Sequence, residues 1–141
     1  MNERSSFTIG EEASLTKVFT LNEVYEFARI SDDTNPVHVD PEYASKTYFK
    51  TQIVHGILVS GLISAVLGTC LPGPGAIYLT QNLRFCAPVY PGEAITARVK
   101  VTDWDDVKGR VILLTDALNQ DGQTVITGEA KLVMSAFIHK D

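Results

Sequence analysis

The sequence has little of several features that would direct it to a particular class of protein. It has only two cysteines in 141 residues, Cys70 and Cys86, and they form no CxxC pair. Use of a disulfide or a metal is therefore not expected, and because both lie in apolar runs we expect buried free thiols. Lys and Arg number 12 against 17 acidic residues, with no basic cluster, which argues against a nucleic-acid partner.

Targeting signals and membrane spans are also lacking. The first twelve residues, MNERSSFTIGEE, contain no apolar core of a signal peptide, and their glutamates are atypical of a mitochondrial presequence. No apolar run reaches the ~20 residues that cross a bilayer. We therefore expect a cytoplasmic protein without a membrane partner, and a length of 141 residues suits a single domain over 1–141.

The longest apolar stretch covers residues 57–71, ILVSGLISAVLGTCL, and has no Asp, Glu, Lys or Arg. Leu58, Leu62 and Val66 recur at helical spacing, and apolar residues fill the other faces, so we predict a central helix that is buried all round. Its entrance is His55-Gly56 and a Pro-Gly run ends it. The first turn would present free N–H groups and the positive end of the helix dipole.

Before this helix the sequence predicts small elements. Residues 14–20 are typical of a strand, and the spacing of Thr20 and Glu23 predicts a capping box for a helix over 21–30. Residues 31–40, SDDTNPVHVD, are polar and non-periodic and predict a loop with a turn at Asn35-Pro36. A short helix should follow from residue 41 to about 46.

After the helix the hydrophobic pattern changes to a period of two. Four strands are predicted, over residues 77–85, 95–102, 111–117 and 126–134, with surface loops at 104–109 and at the Asp-Gly turn of 119–123. Gln81 interrupts the apolar face of the first of them. Because short turns join the strands, the sheet should be mainly antiparallel. One buried helix and a curved sheet predict an α+β domain.

Asp33 and His38 are the residues most suited to chemistry. They lie five positions apart in the predicted loop, and five extended residues span about 17 Å, so the turn at Asn35-Pro36 must fold the chain to bring them together. A carboxylate and an imidazole that converge can share general acid and base work. With the backbone donors at Gly56, such a pair suits reactions at a proton next to a carbonyl group.

Structural roles compete with this interpretation. An Asp before Asn-Pro commonly forms a turn, and a single His is more often a structural residue. His38 and Asp40 beside Asp32 or His55 make only a weak metal site. From its position alone, His55 would cap or line the helix entrance. Ser64 would bond back to a carbonyl group one turn earlier.

Four segments together resemble one family. The run DTNPVH at residues 33–38, followed by IVHG at 53–56, is similar to the hydratase motif of the MaoC-like, (R)-specific enoyl-CoA hydratases. The segments LPGPG at 71–75 and LRFCAPVYPGE at 83–93 resemble the same family. The resemblance covers nearly the whole chain, in order and without large gaps.

The resemblance implies a hot-dog fold, in which an antiparallel sheet wraps a long central helix, and a homodimer. It implies reversible hydration of trans-2-enoyl thioesters to (R)-3-hydroxyacyl thioesters, without a metal or organic cofactor. Asp33 and His38 match the catalytic pair, and Gly56 matches the residue whose N–H receives the thioester oxygen. Ser64 matches a polar position near the catalytic loop, Asn35 one that fixes the loop, and His55 lies in the same motif.

Two other functions fit the same sequence features. A hot-dog thioesterase would use the same helix-terminal donor for hydrolysis, and a non-catalytic subunit would bind acyl thioesters without turnover. An intact Asp33 and His38 pair argues against the second of these. The sequence leaves open whether the acyl carrier is CoA or acyl-carrier protein, and how long the acyl chain is.

Overall fold

The computed structural model describes residues 3–138. Strands and helices in this range follow the predicted order, with a short 3-10 helix at Ser135–Phe137. The elements are β1 (Glu12–Val18), α1 (Leu21–Ser31), α2 (Pro36–Val39), α3 (Pro41–Ser45), α4 (Gly56–Thr69), β2 (Ala76–Phe85), β3 (Ala94–Asp105), β4 (Arg110–Leu118) and β5 (Thr124–Met134).

The five strands form one antiparallel sheet in the order β1-β3-β4-β5-β2. Alternate residues of the three central strands face inward and are buried, as the period of two predicts. Helix α4 lies against the sheet and contacts four of its strands. The α+β architecture predicted from the sequence is therefore confirmed. The buried inner residues of these strands are Ile95, Ala97, Val99, Val101, Val111, Leu113, Thr115, Ala117, Ile126, Ala130, Leu132 and Met134.

Helix α4 is not buried all round, and that prediction is wrong for the chain by itself. One face packs into the core, with Val59, Leu62, Ile63, Val66 and Leu67 buried. The opposite face is exposed along the helix, at Ile57, Gly61, Ser64 and Gly68. The sheet covers only the side of the helix that it faces, so the remaining apolar stripe is left open.

The entry to α1 is the capping box that the sequence predicts. Thr20 accepts a hydrogen bond from the Glu23 N–H, and the Glu23 carboxylate accepts one from the Thr20 N–H. Because Thr20 belongs to this cap, β1 ends earlier than predicted and covers residues 12–18 in place of 14–20. Asp32, in left-handed geometry with φ of 63°, ends the helix after Ser31.

The predicted loop over 31–40 contains a turn of helix, α2, which the sequence analysis missed. The Asn35 side chain accepts from the Val37 N–H and Pro36 occupies the first helical position. These local hydrogen bonds stabilise a helical turn in a segment without a periodic hydrophobic pattern. A single turn is too short to show such a pattern. Asp40 then caps α3, where it accepts two N–H groups of the first turn.

Strand β2 differs from its predicted pattern because it contains a bulge. The register shifts between Tyr78 and Thr80, and Tyr78 lies opposite the buried Leu132. Tyr78 therefore lies on the inner face, although it is 41% exposed at this edge of the sheet, and Ile77 lies on the outer face, where it is also exposed. A period of two read across a bulge assigns the residues before it to the wrong face.

Two further predictions are wrong. Cys70 and Cys86 are free but exposed, since each follows directly after the end of an element, where the chain leaves the core. Trp104 is not in a surface loop, because β3 extends to Asp105 and the indole ring packs edge-on against Phe7 and Phe137.

The single domain over residues 1–141 stays a prediction. Within residues 3–138, no helix has the length and apolarity to cross a membrane.

Candidate active site

The loop that carries Asp33 and His38 is held against the segment that leads into α4. The Ile53 N–H donates to the Val37 carbonyl at 3.3 Å, and the Gln52 side chain donates to the His38 carbonyl at 2.7 Å. These hydrogen bonds join two short segments that are not paired within a helix or a sheet. They bring the polar loop to the start of the central helix.

One hydrogen bond determines which nitrogen of the neutral His38 ring carries the hydrogen. Its Nδ1 lies 2.7 Å from the Ile53 carbonyl oxygen, which can only accept, so Nδ1 carries the hydrogen. In the neutral ring Nε2 then has a free lone pair. His38 is 9% exposed and lines a cavity. It is therefore a buried base with a defined tautomer, in the arrangement that general base catalysis needs.

Asp33 is exposed and its backbone is fixed from both sides. Its N–H donates to the Ser31 hydroxyl at 3.1 Å, and its carboxylate accepts from the Asn35 N–H at 3.3 Å. Its carbonyl oxygen accepts from Nε2 of His55 at 3.0 Å. The side-chain ligand atoms of Asp33, His38 and His55 all lie within 4.8 Å of one another. Folding thus brings the predicted pair together, with a second imidazole beside it.

His55 supports this arrangement from within the core. Its ring is 1% exposed and stacks on His38 with centroids 3.9 Å apart, while Phe27 packs edge-on against it. Within residues 3–138 its Nδ1 has no hydrogen-bond partner. Its side chain makes no cap to α4, so of the two predicted roles, capping or lining the helix entrance, the structure shows only the second. Burial lowers the pKa of His55 and nearby His38 lowers it further, while the carbonyl and charge of Asp33 oppose this.

The three groups are spaced as metal ligands would be, but the rings are poorly oriented for one ion. The planes of His38 and His55 are inclined by only 26°. An imidazole lone pair lies in the ring plane, so two stacked rings direct theirs along nearly parallel lines. A tetrahedral ion needs ligand lone pairs that converge on one point. The stacking favours proton chemistry over metal binding.

A cavity of about 350 Å³ opens beside His38 and the first turn of α4. Gly56 and His38 supply its polar groups, and most of the other lining residues are apolar. As the first residue of α4, Gly56 carries an N–H that helix geometry leaves free. The remaining walls are formed by Phe49, Ile53, Val54, Val59, Phe85, Cys86, Ala87, Pro88, Val89 and Ile126.

Ser64 is not brought to this group within one chain. It lies on the exposed face of α4, eight residues and roughly 12 Å after Gly56. Burial raises the pKa of Tyr78, and the nearby Ser64 hydroxyl opposes the rise. The Tyr78 hydroxyl donates to Gln81 at 2.9 Å, and Gln81 in turn donates to the buried Thr115 at 3.0 Å.

Sequence reasoning missed two residues that shape the site. Gln52 is 6% exposed and joins the His38 carbonyl to the Tyr25 hydroxyl, which lies 3.0 Å away. Phe85 lies against Gly56, where a Cβ would come within 2.6 Å of its ring. A glutamine in an irregular connector gives no sequence signal. A phenylalanine in an alternating strand is indistinguishable from a core residue.

The close packing of Phe85 on Gly56 predicts an effect on stability. Gly56→Ala should lower the free energy of unfolding by about 1 kcal/mol, the low end of the overpacking range, because the added methyl group overlaps the ring but the half-exposed ring can move aside. Denaturant unfolding of Gly56→Ala, Phe85→Ala and the double variant measures it. The double variant should lose less than the sum of the two single losses. Strict additivity would show that the methyl group and the ring do not meet.

The pKa of His55 predicts a dependence of stability on pH. Since it lies below the ordinary value of 6.5, the unfolded chain takes up a proton before the folded one does. The free energy of unfolding should therefore fall as the pH drops through 6.5. Urea unfolding at pH 7.5 and 5.5 should show a smaller fall for His55→Gln than for the unmodified protein. Equal falls would mean that His55 is protonated alike in both states.

Comparisons with known proteins point to one family. A family model described as "MaoC like domain" matches residues 7–121. The (R)-specific enoyl-CoA hydratase of Rhodospirillum rubrum is 50% identical over 127 residues, which cover 90% of this chain and 88% of that protein. The (R)-specific enoyl-CoA hydratase of Aeromonas caviae is 45% identical over 125 residues, which cover 89% and 93%.

A solved structure described as the (R)-hydratase from A. caviae involved in PHA biosynthesis superposes with a TM-score of 0.88. It is 43% identical, and the match covers 92% of this chain and 98% of that one. This likeness confirms the hot-dog fold that the sequence resemblance implies. The family model matches most of the length of this chain, and the chain therefore belongs to the MaoC-like hydratases.

Proposed function

We infer that this chain is an (R)-specific enoyl-CoA hydratase, a hydro-lyase that adds water reversibly to trans-2-enoyl thioesters. The observation that carries this is the convergence of Asp33 and His38 beside an apolar cavity that also contains Gly56. Relatives 45% and 50% identical carry that enzyme's name. The products are (R)-3-hydroxyacyl thioesters.

The thioester carbonyl is activated at the start of α4. The β-carbon of an enoyl thioester is electrophilic only to the extent that the carbonyl oxygen accepts charge. The Gly56 N–H and the positive end of the helix dipole stabilise that charge. One donor of this kind is typically worth about 2.7–4 kcal/mol in the transition state.

Asp33 and His38 handle the water and its protons. His38 Nε2 has a free lone pair, because Nδ1 donates to the Ile53 carbonyl, and it accepts a proton from the attacking water. The Asp33 carboxylate lies within 4.8 Å of the imidazole and orients the same water. The pair then returns a proton to the α-carbon. Positioned proton transfer of this kind contributes roughly 10²–10⁴-fold.

The rest of the substrate follows from the shape of the cavity. The acyl group lies along the apolar wall formed by residues such as Val59, Val89 and Ile126, and the carrier extends to the surface. We propose CoA as the carrier. The steps use only groups of the chain itself, so we propose no metal or organic cofactor, and we propose the cytoplasm as its location.

Hydration of crotonyl-CoA tests the function. The purified protein should hydrate crotonyl-CoA, and the absorbance of the conjugated thioester should fall. Asp33→Asn and His38→Ala should each lower kcat/KM by about 10²–10⁴-fold. Asp32→Asn is the matched control, because the neighbouring Asp32 is outside the cluster and Asn tolerates its left-handed backbone.

Each alternative function has its own outcome in the same assay. Release of free thiol from saturated acyl-CoA, without hydration, would identify a thioesterase. Binding of crotonyl-CoA without turnover would identify a non-catalytic subunit. Full activity in Asp33→Asn and His38→Ala would remove the assigned roles even if hydration is observed.

We also propose that the protein acts as a homodimer through α4 and β2. Strand β2 is an edge of the sheet and exposes large apolar side chains. The other edge strand, β1, alternates polar and apolar residues and exposes far less apolar surface. An open edge beside the exposed stripe of α4 suits a second copy related by a two-fold axis. The exposed side chains of β2 include Ile77, Tyr78, Leu79 and Phe85.

Gly61→Arg tests the dimer. A Cβ at Gly61 meets no atom within 4 Å of the same chain, so the fold tolerates a side chain there, whereas a packed partner would not. The unmodified protein should sediment as a dimer and Gly61→Arg as a folded monomer. Asn22→Arg, on the exposed side of α1, is the control and should remain dimeric. A monomeric unmodified protein would refute the proposal.

A further inference from the structure

Phe85 occupies the space next to the residue that receives the thioester oxygen. Gly56 has ordinary helical geometry, so it is not required for its backbone conformation. An ideal Cβ on Gly56 would lie 2.6 Å from both Cδ1 and Cε1 of Phe85, closer than atoms pack. The ring therefore rests directly on the first turn of α4.

The ring is also a wall of the cavity. Phe85 is the last residue of β2, it pairs with Ile126, and both residues line the cavity with His38. Phe85 is 52% exposed, so its contact with Gly56 covers only part of the side chain. Because the ring touches Gly56, an acyl group whose carbonyl oxygen accepts from the Gly56 N–H lies close to it.

We propose that Phe85 is a specificity-determining residue that excludes enoyl thioesters with a substituent on the α-carbon. The proposal rests on the hydratase function inferred above. With the carbonyl oxygen at the Gly56 amide, the α-carbon is only two bonds from that oxygen, so a substituent on it is held close to the ring that touches Gly56. The rest of the acyl tail is further from that oxygen and can lie against other walls of the cavity, such as Val59 and Val89.

The size of the effect follows from pocket energetics. One additional methyl group in a fitted apolar pocket changes discrimination by roughly 10–200-fold. Removing the ring frees more volume than a methyl group needs, so the block should be relieved. Because Phe85 offers no hydrogen bond, its removal should change selectivity among acyl groups more than the chemistry itself.

The experiment compares three substrates, crotonyl-CoA, 2-methylcrotonyl-CoA and trans-2-octenoyl-CoA, in the unmodified protein and Phe85→Ala. The ratio of kcat/KM for 2-methylcrotonyl-CoA to that for crotonyl-CoA should rise by about tenfold or more. The ratio for octenoyl-CoA should change by less. Phe137→Ala is the matched control, because that ring packs in the same way on Gly109 at the other end of the sheet. Its ratios should equal those of the unmodified protein.

Several results would overturn the proposal. These are an unchanged 2-methylcrotonyl ratio, an equal loss on all three substrates, or a rise for octenoyl-CoA as large as for 2-methylcrotonyl-CoA. If Phe85→Ala does not fold, Phe85→Leu is judged by the same ratios. Failure of the unmodified protein to hydrate crotonyl-CoA would refute the proposed function instead, so the two failures are distinguishable.

Discussion

The hydrogen bond between His38 and the Ile53 carbonyl is the interaction on which the site depends. It joins the polar loop to the connector that enters α4, and it also fixes which nitrogen of the ring carries the hydrogen. The bonds from Gln52 and Ile53 to the backbone of α2 hold the same two segments together. A base with a defined tautomer thus follows from local packing, and no charged partner is needed to orient it.

The second imidazole, that of His55, places an unpaired polar atom inside the core. His55 is buried with an unpaired Nδ1, and burial keeps its pKa low. A neutral ring at this place can stack on His38 without placing a second positive charge beside the base. Its one hydrogen bond, to the Asp33 carbonyl, aligns the backbone of the acid. His55 therefore contributes by position, and a positively charged residue there would oppose the proposed protonation of His38.

Much of the fold and part of the site could be predicted from the sequence. The capping box at Thr20 and the period of two in β3, β4 and β5 are local signals, and local physics decides them. The turn at Asn35-Pro36 allowed Asp33 and His38 to converge, and the family resemblance identified them as a pair. The one-turn α2 and the bulge in β2 were missed, because neither has a periodic pattern. Gln52 and Phe85 were missed because their roles arise from contacts between distant segments.

The exposed face of α4 reconciles the sequence with the isolated chain. Its apolar composition predicts burial on every side, yet Ile57, Gly61, Ser64 and Gly68 are open to solvent. A stripe of small residues beside an apolar side chain costs stability when it faces water, and it allows close approach of another backbone. The apolar surface of the neighbouring β2 continues this face. The fold of one chain covers only the side of the helix that meets the sheet, and the proposed dimer accounts for the apolar composition of the other side.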